Sequence, residues 1–175
     1  LDKKSFDITN QSSIIKAINK YKPEIIINCV GYTGIQRCQD YPFEAYDVNV
    51  YGTYCLIREC VKNGIKLVSF DSVHSSIYGN VYSMTKFLSS ELIRLLHKDH
   101  LIIKISTLFD NENKQCFVRK VRESLSGGKR IDIFTKERIT PTYAKDIVDY
   151  VNNHLGLSGE IKLGNSGSCT RLDFA

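Results

Sequence analysis

Tyr82 and Lys86 stand four residues apart in the run Tyr82-Ser-Met-Thr-Lys86. On a helix that spacing puts a phenol and an ammonium one turn apart on the same face. A free phenol titrates near pH 10 and is a poor proton shuttle at neutrality. A fixed positive charge beside it favours the phenolate and should pull the pKa toward the working range. Such a pair suits proton transfer to or from a carbonyl oxygen during hydride transfer. Spacing alone is weak, because 10 tyrosines and 16 lysines in 175 residues produce about one such pair by chance. Position carries the argument: an apolar strand at 66–70, a serine-containing loop, then Tyr82 and Lys86 on the next helix.

The elements that must hold this pair alternate along the chain. Asn10 can cap a helix over 11–21, which presents Ile14, Ile15 and Ile18 on one face and stops at Lys22-Pro23. Residues 24–30 are apolar without alternation and predict a fully buried strand. A loop follows at 31–34, then a long helix from Pro42 to about 63, ended by Gly64. Further strands are expected at 66–70, 101–106, 131–134 and 160–163, and helices at 82–97, 115–125 and 144–155, with another helix beginning near 173. Strands alternating with helices imply βαβ units, an α/β doubly wound (Rossmann-like) fold and a mostly parallel sheet.

Composition excludes several classes. Hydrophobic residues make up 42% and charged residues 25% of the chain, as in a globular domain. The longest apolar run, around Ile25–Ile27, is far too short to cross a membrane. The net charge of +5 is spread along the chain, which argues against nucleic acid and suits an anionic small molecule such as a nucleotide. The six cysteines lack metal-type spacing and are expected to be mostly small, reduced core residues, as in a cytoplasmic protein. His74, His97, His100 and His154 form no ligand pattern, so no metal site is expected.

Four further segments, in order, resemble a known family. Phe6-Asp-Ile-Thr-Asn10 resembles L-D-I-T-D. Lys22-Pro-Glu-Ile-Ile-Ile-Asn-Cys-Val-Gly-Tyr-Thr33 resembles K-P-D-V-V-I-N-x-A-A-Y-T. Val48-Asn-Val-Tyr-Gly52 resembles V-N-x-x-G, and Pro141-Thr-Tyr-Ala-Lys-Asp146 resembles P-T-Y-x-x-D. With Tyr82 and Lys86, the chain is similar over nearly its whole length to extended short-chain dehydrogenases/reductases, and among them to the dTDP-4-dehydrorhamnose reductase family.

The resemblance implies a partial NAD(P)-binding Rossmann-like domain over 1–110 and a substrate-binding part over 111–175. It implies NADPH or NADH as cofactor and a nucleoside-diphospho 4-keto-6-deoxy sugar as substrate, and it leaves room for a homodimer. Tyr82 would be the general acid and Lys86 its partner, also binding the nicotinamide ribose. Asp7 and Ile8 would lie near the adenine, and Val30, Gly31 and Tyr32 along the cofactor. Lys104, Thr107 and Thr142 would serve the substrate. Taken singly, Asp7 also reads as a turn residue, Asn49 as a helix residue bonding a neighbouring loop, and Tyr32 as packing.

There are departures. Phe70 stands where the family has a carbonyl-holding threonine and has no hydroxyl to offer, so Ser69 or Ser72 is expected to substitute. Lys104 and Thr107 replace an arginine and a tryptophan. No Gly-rich phosphate turn is present, which predicts an excerpt of a longer protein. These departures keep two alternatives open: an epimerase or dehydratase acting on nucleotide sugars, and a non-catalytic regulatory or binding relative.

Overall fold

The computed structural model describes residues 6–76, 79–110, 116–133 and 135–175, without the side chains of residues 74 and 76. The expected helix start at Gln115, the expected strand end at Phe134 and the opening residues 1–5 lie outside the described residues. The chain divides into two compact units, Leu1–Lys104 with Ser158–Ile161, and Ile105–Leu157 with Lys162–Ala175.

The first unit carries the Tyr82–Lys86 pair. Helix α1 (Gln11–Tyr21) is capped by Asn10, whose side chain accepts from the Ser12 and Ser13 amides, and it ends on Lys22 in the left-handed conformation. Pro23 follows, as a helix stop requires. Strand β1 (Ile25–Asn28) pairs in parallel with β2 (Lys66–Ser72), with Ile25 opposite Lys66 and Asn28 opposite Ser69. Strands β3 (His100–Ile105) and β7 (Gly159–Leu163) complete a sheet of order β1-β2-β3-β7. Burial of Leu67, Val68, Leu101, Ile102 and Ile103 centres the sheet on β2 and β3.

Strand β1 is not fully buried, contrary to its sequence pattern. It ends the sheet, with β2 its only neighbour among the described strands, and Ile27 is 43% exposed. An apolar groove of about 520 Å³ runs beside it, lined by Phe6, Ile14, Ile18, Tyr21, Ile26 and Leu56.

The expected long helix from Pro42 to about Asn63 forms, with a wider π turn inside it. A short helix, α2 (Ile35–Asp40), precedes α3 (Pro42–Tyr46); a wider π turn over Asp47–Tyr51 then leads into α4 (Gly52–Asn63). Gly64 closes α4 at φ 65°, a conformation that favours glycine. A Cβ on Gly52 would lie 2.7 Å from Ile8 Cγ2, so the last residue of V-N-x-x-G allows the 6–10 segment to pack on this helix. Helix α5 (Val81–Leu96) follows a short 3₁₀ turn over Val73–Ser76. Asn80 caps α5 through the Ser83 amide, and Gln39 accepts from the Val81 amide.

In the second unit, β4 (Thr107–Phe109) pairs in parallel with β6 (Pro141–Tyr143). Strand β5 (Arg138–Ile139) pairs antiparallel with β8 (Cys169–Thr170). Helices α6 (Phe117–Ser126), α7 (Ala144–Asn153) and α8 (Arg171–Phe174) complete it. Residues 131–133 are not a strand, although Ile131 and Ile133 have strand character. The strands form instead on either side of Thr140.

Candidate active site

Positions 82, 86 and 90 form one stripe on α5, and all three engage β2. Tyr82 is hydrogen-bonded to the Ser72 side chain. Lys86 Nζ donates to the Phe70 carbonyl at 2.6 Å. Ser90 Oγ donates to Asp71 Oδ2 at 2.8 Å. The strand's last three residues are thus tied to three successive turns of one helix.

Of the two serines offered by the sequence, Ser72 meets Tyr82. Ser69 is 7% exposed and sits within the sheet opposite Asn28. Phe70 contributes its carbonyl to Lys86, a role that needs no hydroxyl.

The expected lowering of the Tyr82 pKa is not what the structure gives. Burial pushes the phenol up, the Ser72 hydrogen bond pulls it down, and the nearby Asp71 charge and Cys38 push it up again. The net direction is upward, with burial the largest cause. Burial lowers the Lys86 pKa, and the Asp71 carboxylate opposes that fall. In this state the pair holds its proton on Tyr82, the form required of a proton donor.

Asn49 pins the neighbouring loop. Its Oδ1 accepts from the Tyr32 amide at 2.7 Å, and its Nδ2 donates to the Tyr32 carbonyl at 3.0 Å and to Thr85 Oγ1 at 2.9 Å. Thr85 in turn donates to the Tyr82 carbonyl at 3.0 Å. The π turn carries Asn49 at its centre, a common place for such turns to serve a site. Arg37 lies 4.1 Å from the centroid of the Tyr32 ring. Val30 and Gly31, just past the end of β1, remain exposed. A Cβ at Gly31 would meet only ordinary contacts at 3.6 Å and 3.7 Å, so internal packing does not demand this glycine. An open backbone at the carboxyl end of a parallel strand has room for a flat ligand ring.

The remaining sequence candidates fall elsewhere. Asp7 builds a turn, its carboxylate accepting from the Thr9 amide and hydroxyl. Ile8 is 4% exposed and belongs to the hydrophobic core. Lys104 pairs with Glu160 at 3.0 Å. Thr107 and Thr142 lie on paired strands of the second unit, one register step apart, and Thr142 is wholly buried with its hydroxyl on the Thr140 carbonyl. That unit also holds an open groove of about 790 Å³ flanked by Phe109, Tyr143, Asp146, Asn165 and Phe174.

Asp71 and Ser90 were not singled out by the sequence reading. The available signal was Ser90 at eight residues past Tyr82, which extends the Tyr–Lys stripe by one turn.

The sheet order, the ligand-accessible end of β1 and the Tyr–Lys stripe define a doubly wound, Rossmann-like α/β domain. The chain belongs to the family described as the RmlD substrate binding domain, whose model matches residues 1–175. It is 26% identical over 190 aligned positions to the spore coat polysaccharide biosynthesis protein SpsK of Bacillus subtilis, covering 100% of this chain and 67% of that protein. It is 24% identical to the dTDP-4-dehydrorhamnose reductase of Mycolicibacterium smegmatis, covering 97% of this chain and 57% of that one. The chain therefore spans roughly three-fifths of the length of these relatives. A dTDP-4-dehydrorhamnose reductase from Bacillus anthracis, solved in complex with NADP, superposes with a TM-score of 0.89 at 24% identity, over 99% of this chain and 68% of that one. The Bordetella bronchiseptica enzyme WbmG, solved with NAD and UDP, gives a TM-score of 0.82 at 11% identity, over 95% and 58%. No described helix is long and apolar enough to cross a membrane.

Proposed function

We propose that the protein is an NAD(P)H-dependent reductase of a nucleoside-diphospho 4-keto-6-deoxy sugar, working in the cytoplasm. The observation that carries this reading is the α5 stripe. Tyr82 holds a proton and hydrogen-bonds Ser72, and Lys86 is anchored on the same strand at the Phe70 carbonyl, one residue before Asp71. Similarity to dTDP-4-dehydrorhamnose reductases supports the substrate class, and six unpaired cysteines suit a reducing compartment.

The nicotinamide cofactor supplies the hydride. Val30, Gly31 and Tyr32 would hold its ring at the end of β1, with Asn49 fixing that loop from behind. Lys86 would meet the ribose and supply positive charge near the reacting oxygen. Ser72 would orient the substrate carbonyl, taking the place of the family's threonine. Tyr82 would donate its phenolic proton to the oxygen as it gains negative charge. The first unit would serve mainly the cofactor. The second, with Thr107 and Thr142 on β4 and β6, would serve the sugar nucleotide, as would Lys104 at the end of the first unit's β3.

The test is product analysis on the natural full-length protein with NADPH or NADH and a panel of nucleoside-diphospho sugars. Reduction of a 4-keto-6-deoxy sugar at C4, with one cofactor oxidised per product, is expected. Epimerised or dehydrated product without net cofactor consumption would overturn the reductase reading.

A further inference from the structure

We propose that Asp71 is a positioning residue for this site: a buried counter-ion that keeps Lys86 charged and locks Ser72 in place against Tyr82. The proposal rests on the reading of Tyr82 and Lys86 as the reacting pair.

Asp71 is 3% exposed, in the strand that carries Ser72. Burying a carboxylate is costly unless its charge is compensated. Three donors hold it. The Ser72 amide donates to Oδ1 at 2.7 Å, and Ser75 Oγ and Ser90 Oγ donate to Oδ2 at 2.9 Å and 2.8 Å. Among the described residues, the Asp71 charge acts on Lys86, Tyr82 and Arg94, all on α5.

Each contact has a consequence at the reacting pair. Lys86 is half-buried, the loss of solvent favours its neutral form, and the Asp71 carboxylate opposes that loss. The same negative charge disfavours the Tyr82 phenolate, so the phenol keeps its proton. Ser75 Oγ lies 2.9 Å from Asp71 Oδ2 and 2.8 Å from the Ser72 carbonyl. With the Ser72 amide on Oδ1, both ends of that peptide are fixed and its side chain is presented to Tyr82. A cap for the 3₁₀ turn alone would need neither the charge nor the bond from Ser90.

Competitive acetylation of the full-length protein across pH, read by mass spectrometry, gives the titration midpoint of each lysine without any turnover. In Asp71→Asn the Lys86 midpoint should fall by about one pH unit or more, while that of Lys145, paired with Asp149 at the surface, stays put. The alkaline limb of the kcat profile should move down with it. An unchanged Lys86 midpoint would overturn the proposal, even if the variant were less stable. Should Asp71→Asn fail to fold, Asp71→Ser, which also removes the charge, carries the same test: a downward shift of the Lys86 midpoint supports the proposal, and no shift refutes it. Wild-type protein that turns over no sugar nucleotide would contradict the reductase reading and leave the Lys86 midpoint to decide the role of Asp71.

Discussion

Replacing Asn49 by alanine removes three hydrogen bonds from one buried side chain. Asn49 is 4% exposed, and its bonds to the Tyr32 amide, the Tyr32 carbonyl and Thr85 Oγ1 measure 2.7, 3.0 and 2.9 Å. The three losses are unequal. Thr85 keeps its bond to the Tyr82 carbonyl, and the Tyr32 carbonyl keeps a weak donor in Cys38 Sγ at 3.5 Å. The Tyr32 amide loses the partner that holds it. One abandoned, half-buried amide at about 1–3 kcal/mol, plus two bonds with substitutes at about 0.5–1 kcal/mol each, sums to about 2–5 kcal/mol. Guanidinium denaturation should show this loss at unchanged m-value. Hydrogen exchange should locate it, with the Tyr32 amide losing protection well beyond that of the β2 and β3 amides. Asn49→Asp should be at least as harmful, since it keeps the acceptor but buries a charge. A loss under about 1 kcal/mol, or unchanged protection at Tyr32, would refute the view that Asn49 holds this loop.

Further outcomes follow from single contacts. Gly52→Ala places a methyl 2.7 Å from Ile8 Cγ2; the overpacking cost of about 1–3 kcal/mol exceeds the roughly 1 kcal/mol alanine gains in a helix, so the melting temperature should fall. The Glu160 pKa would be raised by its burial, but bonds from Arg94 and Lys104 outweigh this and hold it below 4.5. Its contribution to stability is therefore complete above about pH 4.5 and is lost as pH falls through the lower folded value, and Glu160→Gln should flatten the melting-temperature profile in that acid window. Ser72→Ala should slow turnover about 100-fold with little loss of stability, whereas Ser69→Ala, inside the sheet, should act mainly on stability; the reverse pattern would assign the carbonyl-orienting role to Ser69.

The elements were legible where a local signal agreed with the final packing. Asn10, Pro42 and Gly64 mark helix boundaries through side-chain or backbone chemistry that needs no tertiary context, and they stand where expected. Strand β1 was placed but misjudged in burial, because Ile25–Ile27 reads the same in a central strand as in a terminal one, and only pairing tells them apart. The π turn at Asp47–Tyr51 had no local signal, since none of its residues breaks a helix. Residues 131–133 form no strand because short apolar runs form strands only beside a partner, and the partners here sit next to 138–139 and 141–143. At the site, the Tyr82–Lys86 spacing was readable. The fate of the Lys86 ammonium was not, because it depends on the Phe70 carbonyl, a backbone group that any residue at position 70 would supply. The upward direction of the Tyr82 pKa follows from burial and Asp71, neither of which spacing on a helix reveals.

The most direct measurement is steady-state NADPH oxidation by the full-length protein and its Tyr82→Phe variant with a nucleoside-diphospho 4-keto-6-deoxy sugar. The account predicts that Tyr82→Phe lowers kcat by about 100-fold or more while cofactor binding and melting temperature hold, since the change removes only the proton donor. Turnover by Tyr82→Phe at the wild-type rate would contradict it.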